Sequence, residues 1–96
     1  MSEQENLMGR VALSKAGRDK GRYFLVTGMA DEQHVLLVDG ILRKLKKPKK
    51  KKLKHVTLEP AVAEGIREKL SGGKRVFDAE IRNCLMNMGY NMEKEK

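Results

Sequence analysis

The sequence predicts a mainly β protein: a small barrel of five short strands, followed by two short C-terminal α-helices. Three observations lead to this prediction. Short apolar runs in the first half of the chain alternate with glycine-containing turns, which is typical of antiparallel strands. At 96 residues, the chain has the length of one domain. After residue 58, the apolar residues change to a spacing of three and four, which is typical of helices.

Five segments carry the strand pattern. In the first, Val11 and Leu13 alternate with Arg10, Ala12 and Ser14, which predicts a half-buried strand. The dipeptide Asp39-Gly40 predicts a tight hairpin turn. Five short strands cannot bury themselves as a flat sheet, so the pattern favours a strongly bent, SH3-like barrel. The predicted strands are Arg10–Ser14, Arg22–Thr27, His34–Asp39, Ile41–Leu45 and Leu53–Leu58.

The end of the chain has helical spacing. Glu59-Pro60 predicts the start of a first helix, because proline is well accepted in a first helical turn. Asp78 is expected to cap the second helix, and Gly89 to end it. Apolar stripes are expected on both helices, formed by Val62, Ile66 and Leu70 on the first and by Ile81, Cys84, Leu85 and Met88 on the second. The predicted organisation is a flexible tail over 1–7, a barrel over 8–58 with a basic loop at 46–52, and a helical extension over 59–96.

Positive charge is concentrated in one part of the chain. The formal net charge is +8, but residues 9–55 alone carry +10, residues 1–8 carry −2 and residues 56–96 are balanced. Within the segment Arg43–Lys54, nine of twelve residues are lysine or arginine and none is acidic. Such a distribution predicts a surface for a polyanion. Because four successive lysines repel one another, Lys49–Lys52 is expected to be an extended, mobile loop when no partner is bound.

A glycine-bounded loop between the first two strands presents several cations. Glycine lets a phosphate approach the backbone closely, and the cations around Gly17 and Gly21 can neutralise its charge. This arrangement resembles the KOW motif of ribosomal proteins and transcription-elongation factors, with Gly21 as its defining glycine. With the later blocks VDG, RKL and PKKKKLKH, the stretch 8–55 is similar to small bacterial KOW-domain RNA-binding proteins, which are related to a large-subunit ribosomal protein of archaea and eukaryotes.

The resemblance implies an SH3-like barrel that binds RNA, with ribosomal RNA as the expected partner. The basic segment lacks interleaved aromatic residues, with only Tyr23 and Phe24 nearby, so it favours recognition of backbone and shape over reading of single-stranded bases. The predicted RNA-binding residues are Lys15, Arg18, Lys20, Gly21, Arg22, Arg43, Lys44, Lys46, Lys47, Lys49, Lys50, Lys51, Lys52, Lys54 and His55.

Other functional classes have little support in the sequence. No nucleophile, phosphate-loop or paired-carboxylate motif is present, so we predict a protein that is not an enzyme and needs no cofactor. His34 and His55 have no Cys or acidic residue at ligand spacing, so no metal site is expected. The single cysteine, Cys84, is expected in the core and excludes an intramolecular disulfide. Together with the lack of a signal-like segment, this predicts a cytoplasmic protein.

Two alternatives stay open. The protein could be an interaction module of the transcription or translation machinery, or a general binder of polyanions and membrane surfaces. An uninterrupted lysine run is not needed for docking a protein, and the lysines have no apolar insertion face or lipid-anchor signal beside them. We therefore expect an RNA-binding protein that is monomeric when free, associates with ribosomal RNA and ribosomal proteins, and does not bind membranes.

Overall fold

The computed structural model describes residues 7–91, which form one antiparallel sheet and two helices. The strands are β1 (Arg10–Ser14), β2 (Tyr23–Asp31), β3 (His34–Val38), β4 (Lys49–Lys52) and β5 (Val56–Val62), and the helices are α1 (Glu64–Ser71) and α2 (Asp78–Asn87). This confirms the mainly β fold with five strands and two C-terminal helices. The strand order is β4-β3-β2-β1-β5, so among the described strands β4 and β5 are edges. The sheet is open, and the closed barrel is not confirmed.

The central strands are buried on both faces, which explains their continuous apolar runs. In β2, the neighbours Phe24, Leu25 and Val26 are all fully buried although their side chains point to alternate faces. Val11 and Ala12 of β1 are also both buried, so the prediction of a half-buried first strand was wrong. Two apolar clusters, one on each face, account for this burial.

Pairing between strands separates the two clusters. Leu25 is the partner of both Val11 and Val38, and these residues pack with Ile66 and Ile81 of the helices. On the other face, Phe24 and Val26 belong to a cluster that contains no residue of α1 or α2. That cluster instead joins Val35 of β3 to Val56 of β5, although two strands lie between them in the sheet. The sheet is therefore strongly curled around this second cluster.

The predicted fourth strand, Ile41–Leu45, is wrong. Residues 39–48 form a turn and an irregular connection instead. The buried carboxylate of Asp39 accepts the backbone N–H groups of Ile41 and Arg43, at 3.0 and 2.8 Å. Local side-chain bonds of this kind compete with a strand ladder for the same backbone donors.

The fourth strand is formed by the lysine run itself. Lys49–Lys52 pairs with β3 from Leu37 to His34, so the predicted basic loop over 46–52 is wrong for its last four residues. The alternation of a strand separates neighbouring charges onto opposite faces: Lys50 and Lys52 are exposed, while Lys51 is buried. Lysine is also a usual residue of edge strands, where it discourages pairing with another chain.

The start of α1 was also predicted wrongly, because β5 continues through Glu59-Pro60 to Val62. Pro60 is tolerated there because β5 is an edge strand whose register against β1 shifts between Arg10 and Ala12. A 3-10 turn, Leu53–His55, occupies the start of the predicted fifth strand.

The predicted end of the second helix is confirmed. Gly89 has φ 91°, and its N–H donates to the carbonyl of Met86 while the Tyr90 N–H donates to Leu85, which is the geometry of a Schellman motif. Ile81 and Leu85 are buried as expected. Asp78, in contrast, is the first helical residue and not the cap, which is Phe77.

The described chain ends against β2. The side-chain amide of Asn91 accepts the N–H of Tyr23 at 2.9 Å and donates to its carbonyl at 2.7 Å. Tyr90 also packs on Tyr23, with ring centroids 4.5 Å apart. These contacts fix the segment after α2 to the sheet. Of the predicted N-terminal tail, residues 1–6 lie outside the described residues, and Leu7 is buried in the cluster around Phe24.

Candidate nucleic-acid interface

The β1–β2 turn, residues 15–22, has a fixed backbone. The Gly21 N–H donates to the carbonyl of Ser14 at 2.8 Å, and the Arg22 N–H donates to the carbonyl of Asp19 at 3.0 Å. Gly17 and Gly21 have φ values of 81° and 88°, a region that favours glycine. A Cβ added at Gly21 would have no atom within 4 Å, so this position is open to an approaching ligand. The turn can therefore hold its exposed cations in a defined arrangement.

Arg22 is bound to a buried acid. Its Nε lies 2.5 Å from Oδ2 of Asp39, a residue that is only 1% exposed. Burial by itself would raise the pKa of Asp39, but the bonds from Arg22 and from the N–H groups of Arg43 and Ile41 outweigh it and lower the pKa. Asp39 is therefore charged at neutral pH, and Arg22 neutralises it.

A second ion pair joins the β1–β2 turn to the β3–β4 connection. The guanidinium of Arg43 donates to Oδ2 of Asp19 at 3.2 and 3.3 Å, and Asp19 is 7% exposed. Together with the Arg22–Asp39 pair, it connects the two segments that the sequence predicted as separate parts of one basic surface.

Lys51 attaches the edge strand to the same turn. Its partner in β3 is Val35, so both side chains lie on the curled inner face of the sheet. The Lys51 ammonium donates to the carbonyl of Ala16 at 2.5 Å. Its neighbours Lys50 and Lys52 lie on the outer face and are exposed. Lys51 thus holds β4 beside the β1–β2 turn, while the alternate lysines face outward.

Helix α2 supports the β3–β4 connection, which the sequence did not indicate. The first residue of α2, Asp78, accepts the N–H of Leu45 at 2.7 Å. Gly40 has φ 83°, and a Cβ there would lie 2.9 Å from the nitrogen of Arg82 and closer still to the carbonyl of Asp78. Helix α2 therefore positions the backbone that carries the basic segment.

Three of the fifteen predicted site residues use their side chains in the ion pairs and hydrogen bonds described above, and the other twelve do not. Arg22, Arg43 and Lys51 have internal partners, Lys49 and His55 are half-buried, and Gly21 lies exposed in the turn. The exposed cations are contributed by the turn, the connection, β4 and the residues just after it, and none forms an ion pair with an acid of the described chain. They are Lys15, Arg18, Lys20, Lys44, Lys46, Lys47, Lys50, Lys52 and Lys54.

Other chemistry has no comparable site within residues 7–91. No group of three or more His, Cys, Asp or Glu residues there could hold a metal ion. Burial raises the pKa of the Cys84 thiol, which keeps it protonated and a poor nucleophile. His34 lies 2.8 Å from Asp31 in an exposed pair. Neither described helix is both long and apolar enough to cross a membrane.

Comparisons with known proteins do not assign the chain. No protein-family model matches it, and no curated protein matches it.

Proposed function

We propose that the protein binds structured RNA through its phosphate backbone. The observation that carries the proposal is a set of nine exposed cations that have no acidic partner among residues 7–91. Internal bonds hold together the elements that carry them. Ammonium and guanidinium groups in such a set replace the counterions around phosphates, and their release favours binding. The arrangement contains no aromatic ladder for stacking bases, which favours backbone and shape over a single-strand code.

The curled sheet supports the further proposal of an SH3-like, KOW-type domain. One apolar cluster joins strands that are not neighbours, and the Lys15 N–H donates to the carbonyl of His55 at 2.8 Å, which draws the end of β1 to the 3-10 turn after β4. In this proposal the turn around Gly21 is the KOW loop, and ribosomal RNA in the cytoplasm is the partner. The protein acts as a monomer and catalyses no reaction.

The direct test is the affinity of the purified chain for a 12-base-pair RNA hairpin, measured by fluorescence anisotropy. The Lys50→Ala/Lys52→Ala variant loses two outward charges of β4 and should bind about tenfold more weakly, because each phosphate contact contributes to the electrostatic affinity. Lys74→Ala/Arg75→Ala is the matched control: it loses the same charge from exposed positions between the helices. Its affinity should stay close to that of the unchanged protein.

Two results would contradict the proposal. Equal losses in the two variants would show that only net charge matters and not this surface. An absence of RNA affinity, with a protein partner retained after nuclease treatment and high salt, would favour the protein-interaction module. If the affinity measurements agree with the proposal, crosslinking in cells followed by sequencing of the bound RNA identifies the partner. Ribosomal RNA is the expected result.

A further inference from the structure

We infer that Leu42 contacts an unstacked nucleotide of the bound RNA, in a cleft between the β3–β4 connection and the β1–β2 turn. This inference rests on the proposed function and adds to it a non-electrostatic contact that distinguishes one RNA shape from another. It assigns a role to the most exposed of the large apolar side chains in the described part of the chain.

The exposure of Leu42 is unusual for this protein. Leu42 is 60% exposed and its neighbour Ile41 is 43% exposed, whereas most aliphatic residues of the central strands are buried. The other exposed large apolar residues within 7–91, Phe77 and Met86, are not neighbours in sequence. Adjacent exposed apolar residues with a polar rim are typical of interaction sites, whereas single exposed apolar residues are common on protein surfaces. The pair is therefore a candidate contact for a binding partner.

The tip that carries Leu42 is fixed in place. The N–H groups of Asp39 and Gly40 donate to the carbonyl of Arg43 at 3.0 and 3.1 Å, which closes the turn around Ile41 and Leu42. The buried carboxylate of Asp39 accepts the N–H groups of Ile41 and Arg43 within the turn. Gly40 packs closely against the backbone of α2 at Asp78 and Arg82, which also fixes the turn. A preorganised apolar group loses little conformational freedom on binding, so it can contribute more of its burial energy to affinity.

Leu42 forms the apolar wall of a cationic cleft. The cleft has a volume of about 380 Å³ and is also lined by Arg18, Asp19, Lys20, Gly21, Arg22 and Asn91. Asp19 is paired with Arg43 and Arg22 with Asp39, so Arg18 and Lys20 are the lining cations without an acidic partner among residues 7–91. Its size falls within the range of small-ligand sites, roughly 300–1,000 Å³. A Cβ added at Gly21 would have no atom within 4 Å, so the β1–β2 turn leaves the cleft open there, and Arg18 and Lys20 of the same turn are exposed. A nucleotide could place its base against Leu42 and its phosphate near these two cations.

The cations and the apolar side chain of the cleft together indicate which class of ligand it can bind. Cations around one aliphatic wall complement a ligand that joins an anion to an apolar face, which describes a nucleotide whose base has left the stack. Paired bases in an A-form helix hide their faces, and the shallow groove shows hydroxyls and base edges that a leucine cannot bind well. The expected site on RNA is thus a bulge or a loop nucleotide.

The test uses two RNA hairpins that differ only in one nucleotide. One carries a single 2-aminopurine as a bulge, and the other carries the same base paired with uridine. The unchanged protein should bind the bulged hairpin about fivefold more tightly, a ratio expected from covering part of one leucine side chain. Its binding should also change the 2-aminopurine fluorescence of the bulged hairpin.

Substitutions separate Leu42 from general effects. Leu42→Ser should reduce the preference to less than twofold without changing the salt dependence of binding, since no charge is removed. Met86→Ser is the control, because Met86 is also exposed, at 37%, but lies on α2 outside the cleft. It should keep the fivefold preference.

The outcomes distinguish this inference from the proposed function. Equal affinity of the unchanged protein for both hairpins, or a preference that Leu42→Ser retains, would overturn the role of Leu42 and leave RNA binding intact. Binding to neither hairpin would overturn both. If polyglutamate displaced the bulged hairpin as effectively as free RNA does, the cleft would be assigned to an acidic protein partner instead.

Discussion

Replacing Asp39 by asparagine would remove one negative charge from a buried site and leave the donors around it in place. The side-chain oxygen of the new amide could still accept the N–H groups of Ile41 and Arg43. Its NH₂ group, however, would face the guanidinium of Arg22, so that two donors meet where an ion pair now exists. The loss therefore concerns mainly one charge-assisted hydrogen bond.

The size of the effect follows from that bond. Hydrogen bonds to charged groups contribute about 1.5–3 kcal/mol, and an unpaired guanidinium at a partly buried site adds to the loss. Because Arg22 retains 26% side-chain exposure, water can compensate part of it. We expect a loss of about 2–3 kcal/mol in the free energy of unfolding, or a fall in Tm of about 10–20 °C for a domain of this size.

Thermal unfolding followed by circular dichroism at several pH values tests this expectation. The folded-state pKa of Asp39 lies below its ordinary value of 3.8, so the ion pair stabilises the fold above that pH and the stabilisation is lost as the pH falls below it. The difference in Tm between the unchanged protein and Asp39→Asn should therefore be constant near neutral pH and shrink below about pH 3.8.

The matched control is Asp31→Asn. The bond to His34 lowers the pKa of Asp31, but this carboxylate is exposed, so its loss should change the Tm little. Equal Tm values for Asp39→Asn and the unchanged protein would refute the assignment of the Arg22–Asp39 pair as a structural support. A difference that persisted without change down to pH 2 would refute its electrostatic origin.

Further predictions concern the two glycine turns and the two kinds of lysine. Gly40→Ala should destabilise the fold by about 3 kcal/mol or more in urea titrations, because the new Cβ would meet the backbone of α2, whereas Gly21→Ala should cost only about 1 kcal/mol of backbone strain. Similar losses in both would contradict the close packing at Gly40. Lys51→Ala should lower the stability by about 1–2 kcal/mol through its lost bond to the β1–β2 turn, and Lys50→Ala should change it by less than about 0.5 kcal/mol. If Lys50→Ala were the more destabilising of the two, the orientation of β4 would be wrong.

Much of the sheet is encoded in local patterns. The bounds of β1 and the start of β3 follow from apolar alternation and flanking turn residues, and the end of α2 follows from Gly89. These features depend on residues close in sequence, which is why the sequence predicts them. The burial of β1 on both faces was missed because it depends on helices that pack against the sheet from a distant part of the chain.

The two errors in the basic region have different physical causes. The alternation in Ile41–Leu45 predicts a strand, but the carboxylate of Asp39 binds the backbone donors that a strand would use. The run Lys49–Lys52 predicts a loop because of its charge, yet its strand is possible because Lys51 finds a carbonyl acceptor 35 residues away. The Asp39 bonds are local and compete with the strand pattern, whereas the acceptor of Lys51 is distant in sequence and leaves no local pattern.

The candidate site was predicted as a set of cations but not as an arrangement. Arg22 and Arg43 pair with acids 17 and 24 residues away, so their structural role could not be inferred from the run of charge. The scarcity of acids in the basic stretch was a usable signal for these ion pairs, because residues 9–55 contain only four acids. Of these, Asp39 directly precedes Gly40, and Asp19 lies between Gly17 and Gly21. Charged residues in such positions often have a structural partner.

The salt dependence of RNA affinity tests the central claim most directly. If about six of the exposed cations meet phosphates, log K should fall with log salt concentration at a slope of about −4 to −5. In Lys50→Ala/Lys52→Ala the slope should be shallower by about 1.5, while Lys74→Ala/Arg75→Ala should keep the original slope. A slope near zero, or one that both variants change equally, would contradict binding of RNA phosphates by this surface.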